Sequence, residues 1–303
     1  MLKTSIDNYL RLRRAVGFQL KAEESILHCF ARWASQRGEN HVRSQMATEW
    51  AATARSPWQR ERRLRTVAAF ARHARAEDPR HEVPATSVFA RRHQRPKPYI
   101  YSPQELRRLL EAAARLPSTW PLRPRIFTTL FGLLASTGLR ISEALALRVG
   151  DVTHDGLVIH KTKFNKTRLV PLHPTCSAAL EGYLHQRRDL AVGSDYVFLS
   201  PKGKKLPYST VRNEFLCLTR QIGIRFAAGT SGPRIHNLRH TFAVRALEAS
   251  PQDARSIGWH MRALSTYLGH VNVSDTCWYL HTTPHLMRGM TDQCERFFER
   301  GAQ

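Results

Sequence analysis

Apolar positions in the first ninety-five residues recur three and four apart. Leu10, Leu12, Val16 and Leu20 fall within a first basic stretch. Ile26, Leu27, Phe30, Ala31 and Trp33 follow with helical spacing, closed by Gly38. A further helix is predicted over about 44–54. Pro57 interrupts before a third, in which Arg60, Arg62, Arg63 and Arg65 crowd ahead of Val67, Phe70 and Ala71. A helix with so many arginines does not bury all its faces, so its basic side is read as a phosphate-contacting face, with a solvated face as the plainer alternative. Pro79, Pro84, Pro96 and Pro98, with Arg91, Arg92, Arg95 and Lys97 nearby, disfavour helix. Residues 79–98 are therefore expected to be a basic linker between a helical domain, 1–95, and a second domain, 99–303.

The second domain opens on Ser102-Pro103-Gln104-Glu105, a capping box with proline at the first helical position. Leu106, Leu109, Leu110 and Ala113 supply its stripe. Ile126 to Ala135 is apolar throughout and ends before Gly138, and a short helix holding Ser142, Glu143, Leu145 and Leu147 comes next. The period then changes. Leu157–His160 and Arg168–Leu172 read as strands flanking a basic hairpin, Lys161–Thr167. Helices are predicted over about 175–191, 209–222, 236–249 and 262–268, with a short strand at Tyr196–Ser200 and a turn at Lys202–Lys205. Residues 250–262 are read as an added polar loop, and 285–303 as a terminal tail helix carrying Phe297 and Phe298. The fold class is mainly α with a small β-sheet.

Charge sharpens this outline. The 303-residue chain has 38 Arg and 9 Lys against 24 Asp and Glu, a net charge of +23. Residues 1–95 hold 19 basic and 9 acidic side chains, and 96–303 hold 28 and 15. The excess is spread along the chain, so both domains would face one polyanion. Nucleic acid is the natural partner, because the arginine fork bonds phosphate oxygens in pairs. Five dispersed cysteines without a C-x-x-C pair suggest neither a disulfide framework nor a thiolate zinc site. No long apolar run predicts a membrane span and no secretory segment is expected, which points to a cytoplasmic protein.

The chemistry concentrates in four places. Arg140 follows a helix stop at Gly138, with Glu143 three residues on and able to orient it. His236 and Arg239 stand at i and i+3, so one helix face projects both, close to a helix N-terminus that favours anions. His240 adds an i, i+4 pair with His236, but no H-E-x-x-H and no third ligand support zinc, and no metal or cofactor is expected. His270 and Tyr279 complete the set. Tyr267, the rival tyrosine, has the spacing of a packing residue beside Leu264 and Leu268.

Thr137-Gly-Leu-Arg-Ile-Ser-Glu-Ala-Leu145, Asn165-Lys-Thr-Arg-Leu-Val-Pro-Leu172, His236-Asn-Leu-Arg-His-Thr-Phe-Ala243 and Leu268-Gly269-His270 through Tyr279 resemble, in order and spacing, the boxes of tyrosine recombinases of the phage-integrase and Xer type. The similarity spans about 100–285. Residues 1–95 match in being a basic helical domain of suitable size. The resemblance implies a helical DNA-clamp domain followed by a mixed α/β catalytic domain. It implies a reaction in which Tyr279 attacks a DNA phosphate and leaves a 3′-phosphotyrosine. Arg140 and Arg239 would brace the non-bridging oxygens, and His236 and His270 would manage protons. Lys163 would protonate the departing 5′-oxygen, with Lys161 and Lys166 as alternatives. Phe164 stands where glycine is more usual in this family.

The expected function is site-specific DNA recombination, as integration, excision or transposition. The expected assembly is a homotetramer on two sites of double-stranded DNA, with other recombinases or accessory proteins as further partners. Two rival readings are a type IB topoisomerase, with the same chemistry but no strand exchange, and a catalytically silent DNA-binding accessory protein.

Overall fold

The computed structural model describes residues 2–89, 98–160, 167–190, 193–226, 232–249, 254–269 and 276. Contacts divide the chain into two compact units, Met1–Arg95 and Pro96–Gln303.

The first unit is four helices, α1 (Leu2–Ala15), α2 (Lys21–Ser35), α3 (Ser44–Ala52) and α4 (Pro57–Glu77). Their shared core holds Ile6, Leu10, Leu27, Phe30, Trp50, Leu64 and Phe70, with Phe30 edge-on to Trp50 at 5.2 Å between ring centres. The inward stripe of α1 is Leu2, Ile6, Tyr9 and Leu10. Leu12 and Val16 point out, because the basic residues around them take the solvent side. Pro57 opens α4, where its missing N–H costs nothing, and Ser56 caps the helix by accepting from Gln59 N at 3.2 Å.

The expected linker starts too early. Arg43 gives α3 no side-chain cap, and Glu82 supplies one from a distance by accepting from Ser44 N at 2.8 Å. Glu82 N donates to Val42 O and Val42 N donates to the buried His81 Nδ1. Val83 and Phe89 then pack on the helical core. Residues 81–89 thus belong to the first unit, held by backbone groups that proline spacing does not reveal. Residues 90–97 of the expected linker lie outside the described residues.

The second unit is built on α6 (Leu122–Thr137), whose broad apolar face buries Leu122, Ile126, Phe127, Leu130, Phe131, Leu133 and Leu134. Around it pack α5 (Pro103–Ala114), α8 (Pro174–Leu190) and α10 (His236–Glu248), while α9 (Tyr208–Gln221) packs on α5. The Ser102–Glu105 capping box forms as expected: Ser102 Oγ accepts from Glu105 N, and Glu105 Oε2 accepts from Ser102 N at 2.7 Å. A short helix, α7 (Ile141–Ala144), leads to an antiparallel sheet of β1 (Val152–Thr153), β2 (Gly156–Ile159) and β3 (Arg168–Val170). Its register pairs Leu157 with Val170 and Ile159 with Arg168.

Two expectations are corrected here. Tyr196–Ser200 forms no ladder, only isolated bridges from Tyr196 to Arg148 and from Leu199 to Lys205, because the chain turns at Gly203 before a second pair can follow. The added loop at 250–262 is largely helix: α11 (Ala254–Leu268) begins eight residues earlier than the apolar spacing suggested. Trp259 is exposed, whereas Met261, Leu264 and Leu268 pack with Ala243, Val244 and Leu247 of α10. The expected tail helix at 285–303 lies outside the described residues.

Candidate active site

Gly138 sets the site's geometry. It ends α6 at φ 62, and its N–H closes the helix on Leu134 O. A Cβ there would stand 2.5 Å from the Phe242 ring of α10, so a side chain would break both the turn and the packing. The turn delivers Arg140 in extended conformation immediately before α7. Glu143, one turn on, accepts from Arg140 N at 3.0 Å and from Arg140 Nη1 at 2.8 Å.

Arg239 arrives from α10 and is buried, 2% exposed. Its Nη1 donates to Gly138 O and its Nη2 to Leu268 O, each at 2.7 Å. Arg140 Nη2 donates to Gly269 O at 3.1 Å, and its Nη1 approaches Leu268 O at 3.5 Å. The two guanidinium groups therefore meet at one carbonyl. That carbonyl belongs to the last turn of α11, where carbonyls lack partners within the helix and the dipole is negative. The arginines satisfy these oxygens, and the helix end fixes the arginines.

His236 is the first residue of α10. It is open to solvent on one side. The protein mass on its other side, with the charges of Arg239 and then Arg140, pushes its imidazole below the ordinary value. At neutral pH it is an uncharged hydrogen-bonding group beside two cations. The His240 ring stands edge-on to it at 4.6 Å.

Arg168 is the residue the sequence reading left without a role. It opens β3 and donates Nη1 to Glu143 Oε1 at 3.1 Å and Nη2 to Oε2 at 2.8 Å. Its Nε donates to Tyr267 O at 2.9 Å. Burial pushes the Glu143 carboxyl up, but Arg168 and then Arg140 outweigh burial and hold it below the usual range. No local spacing pairs residues 143 and 168; the sheet and α11 bring them together. Tyr267 stacks on Phe242 with ring centres 5.5 Å apart, and burial pushes its phenol up to about 12. It is a packing residue, as its spacing suggested.

Lys163, its alternatives Lys161 and Lys166, His270 and Tyr279 lie outside the described residues, as do Arg91, Arg92, Arg95 and Lys97. In the first unit, Arg60 donates to Ala54 O, and Arg63 bonds Thr53 Oγ1 and stacks over Trp50. Arg62 pairs with Glu23 at 3.5 Å and lies over Trp58. Arg65 pairs with Glu61 and stays most open to solvent. Among the described residues, His41, Asp78 and His81 have donor atoms within 4.8 Å of one another. Arg80 already bonds both Asp78 oxygens. With His81 Nδ1 accepting from Val42 N, the ring proton sits on Nε2, so neither nitrogen keeps a lone pair for a metal. The cluster is a polar latch.

Among the described residues, no helix is long and apolar enough to cross a membrane. The phage integrase family matches residues 100–285, the span that carries the converging arginines. Over 98% of both chains, the protein is 38% identical to y4rB of Sinorhizobium fredii, which is named as an integrase/recombinase. Its fold is similar to that of the Tn1549 transposon integrase in complex with transposon right end DNA (TM-score 0.70, 18% identity, 97% of this chain and 98% of that one). It is also similar to the XerH site-specific recombinase bound to its palindromic difH substrate (TM-score 0.69, 18% identity, 97% and 85%). A match across more than half the chain and a full-length relative agree with the converging arginine pair, and the chain belongs to the phage integrase family of tyrosine recombinases.

Proposed function

We propose that this site-specific DNA recombinase cuts and rejoins double-stranded DNA through a 3′-phosphotyrosine link, moving a mobile element as a tetramer on two sites in the bacterial cytoplasm. The phenolic oxygen of Tyr279 attacks the scissile phosphorus and displaces the 5′-oxygen, which leaves as a hydroxyl with a proton from Lys163. The reverse attack by a 5′-hydroxyl of the other site restores the DNA and the phenol. Bond energy is kept in the covalent link, so no external energy source is needed.

The observation that carries the reading is the convergence of Arg140 and Arg239 on the Leu268 carbonyl. Charge builds on the non-bridging oxygens in the transition state, and guanidinium groups fixed beforehand stabilise it without reorganising. They also ease ionisation of a phenol whose ordinary pKa is about 10. His236, neutral beside them, and His270 on the chain just past Gly269, complete the proton handling. Outside the site, the basic clamp of residues 1–95, with Arg60, Arg62, Arg63, Arg65 and the 91–97 cations, would follow the DNA backbone. The recombinases of similar fold that were solved on DNA support duplex DNA as partner.

The test uses a pool of nicked duplexes of random sequence, from which DNA joined covalently to the protein is recovered and sequenced. Wild-type protein should yield adducts on one recurring sequence. Tyr279→Phe should yield none while still binding the recovered duplex. Adducts that persist in Tyr279→Phe would place the nucleophile elsewhere.

A further inference from the structure

Glu143 sits in an arrangement that creates a problem for Arg140. A carboxylate bonded to a single guanidinium forms a neutral pair, and a neutral pair is a poor partner for a phosphate. The structure supplies a second guanidinium. Arg168 takes both Glu143 oxygens, while Arg140 takes Oε1 through Nη1 and Oε2 through its backbone N–H. The three side chains together keep one positive charge. The carboxylate side chain is 9% exposed and Arg168 12%, whereas Arg140 is 31% exposed, so the side open to solvent, and to an incoming phosphate, is the Arg140 side.

The same fork is tied to the end of α11. Arg168 Nε bonds Tyr267 O, and Gly269 passes so close that a Cβ there would stand 2.8 Å from Arg168 Nη1. Three successive carbonyls, of Tyr267, Leu268 and Gly269, thus accept from Arg168, Arg239 and Arg140 in turn. The chain that leaves this clasp begins with His270.

We propose that Arg168 is a positioning residue for DNA cleavage: its bidentate grip on Glu143 keeps that carboxylate from cancelling Arg140, and its bond to Tyr267 O holds the end of α11 against the arginine pair. This rests on the reading of Arg140 and Arg239 as the phosphate-binding groups. Arg168 itself does not touch the DNA.

The test measures single-turnover cleavage and DNA affinity separately, on the nicked duplex that wild-type protein captures. Arg168→Met should slow cleavage roughly 100-fold, the scale of a displaced catalytic group, with affinity changed about threefold or less. Arg168→Lys, which keeps the charge but cannot span two oxygens and a carbonyl, should fall between. Glu143→Gln in the Arg168→Met background removes the buried carboxylate that would otherwise pair with Arg140 alone. That double variant should cleave faster than Arg168→Met. A merely structural arginine would instead give additive losses, with melting temperature and affinity falling in step with cleavage, and that result would overturn the proposal. Normal cleavage by Arg168→Met with Arg140→Met inactive would overturn it alone. Normal cleavage by Arg140→Met would overturn the underlying reading as well.

Discussion

The two units use arginine in opposite ways. Among the described residues of the first unit, Arg37, Arg63 and Arg62 lie over Trp33, Trp50 and Trp58, and Arg62 and Arg65 pair with Glu23 and Glu61. Such exposed pairs contribute about 0–1 kcal/mol, so a passing phosphate can take over the fork at little cost. In the second unit, Arg239 is buried on two carbonyls, and Arg168, largely shielded, holds a carboxylate that Arg140 shares. Breaking a buried pair costs about 3–5 kcal/mol, so these groups do not move to meet a ligand. The lesson is a division of labour. On the proposed function, a clamp that follows the DNA backbone needs cations that are cheap to redirect, whereas a reaction centre needs cations that stay where charge will develop.

Four experiments bear on that contrast. The largest effect is expected from Arg239→Met, which should slow cleavage of the captured duplex by about 100-fold or more. Its loss leaves Gly138 O and Leu268 O without their buried donor, so stability in urea should also fall, by about 2 kcal/mol or more. A variant that cleaves and melts like wild type would erase the distinction between the units.

Gly138→Ala should come next, at about 1–3 kcal/mol, because the new methyl meets the Phe242 ring in a left-handed turn. Unchanged urea midpoints would show that the turn has slack and that Arg140 is less fixed than described. In the first unit, Arg65→Ala should weaken DNA binding uniformly across sequences and lower the slope of log affinity against log salt by about one. A slope that stays the same would remove Arg65 from the clamp.

The smallest effect concerns pH. His236 has a folded-state pKa below its unfolded value, so as pH falls below about 6.5 the unfolded chain takes up a proton first. Stability present above that pH should decline as it falls toward the folded pKa. His236→Gln should flatten this part of the melting-temperature profile, and an equally steep profile in the variant would assign the titration to another group.

Some of this was legible in the chain. Ser102 and Glu105 announced their capping box, and the i, i+3 spacing placed Glu143 on Arg140. The apolar stretch around Ile126–Ala135 identified the central helix. Other features were hidden for identifiable reasons. The cap on α3 comes from Glu82, far along the chain, and Arg168 reaches Glu143 from a distant strand. The hairpin lysine and the tyrosine were legible as motif residues only; Lys163 and Tyr279 lie outside the described residues.

By itself the sequence determined the elements and the kinds of group available, because helix period, caps and glycine stops are local and act over three or four residues. It also determined the charge, and with it the polyanionic partner. Only the tertiary structure decided which cations share a carboxylate and which carbonyls hold them. Arg140, Arg168 and Arg239 come from a turn, a strand and a helix, and they meet because the end of α11 offers three carbonyls that no local partner satisfies.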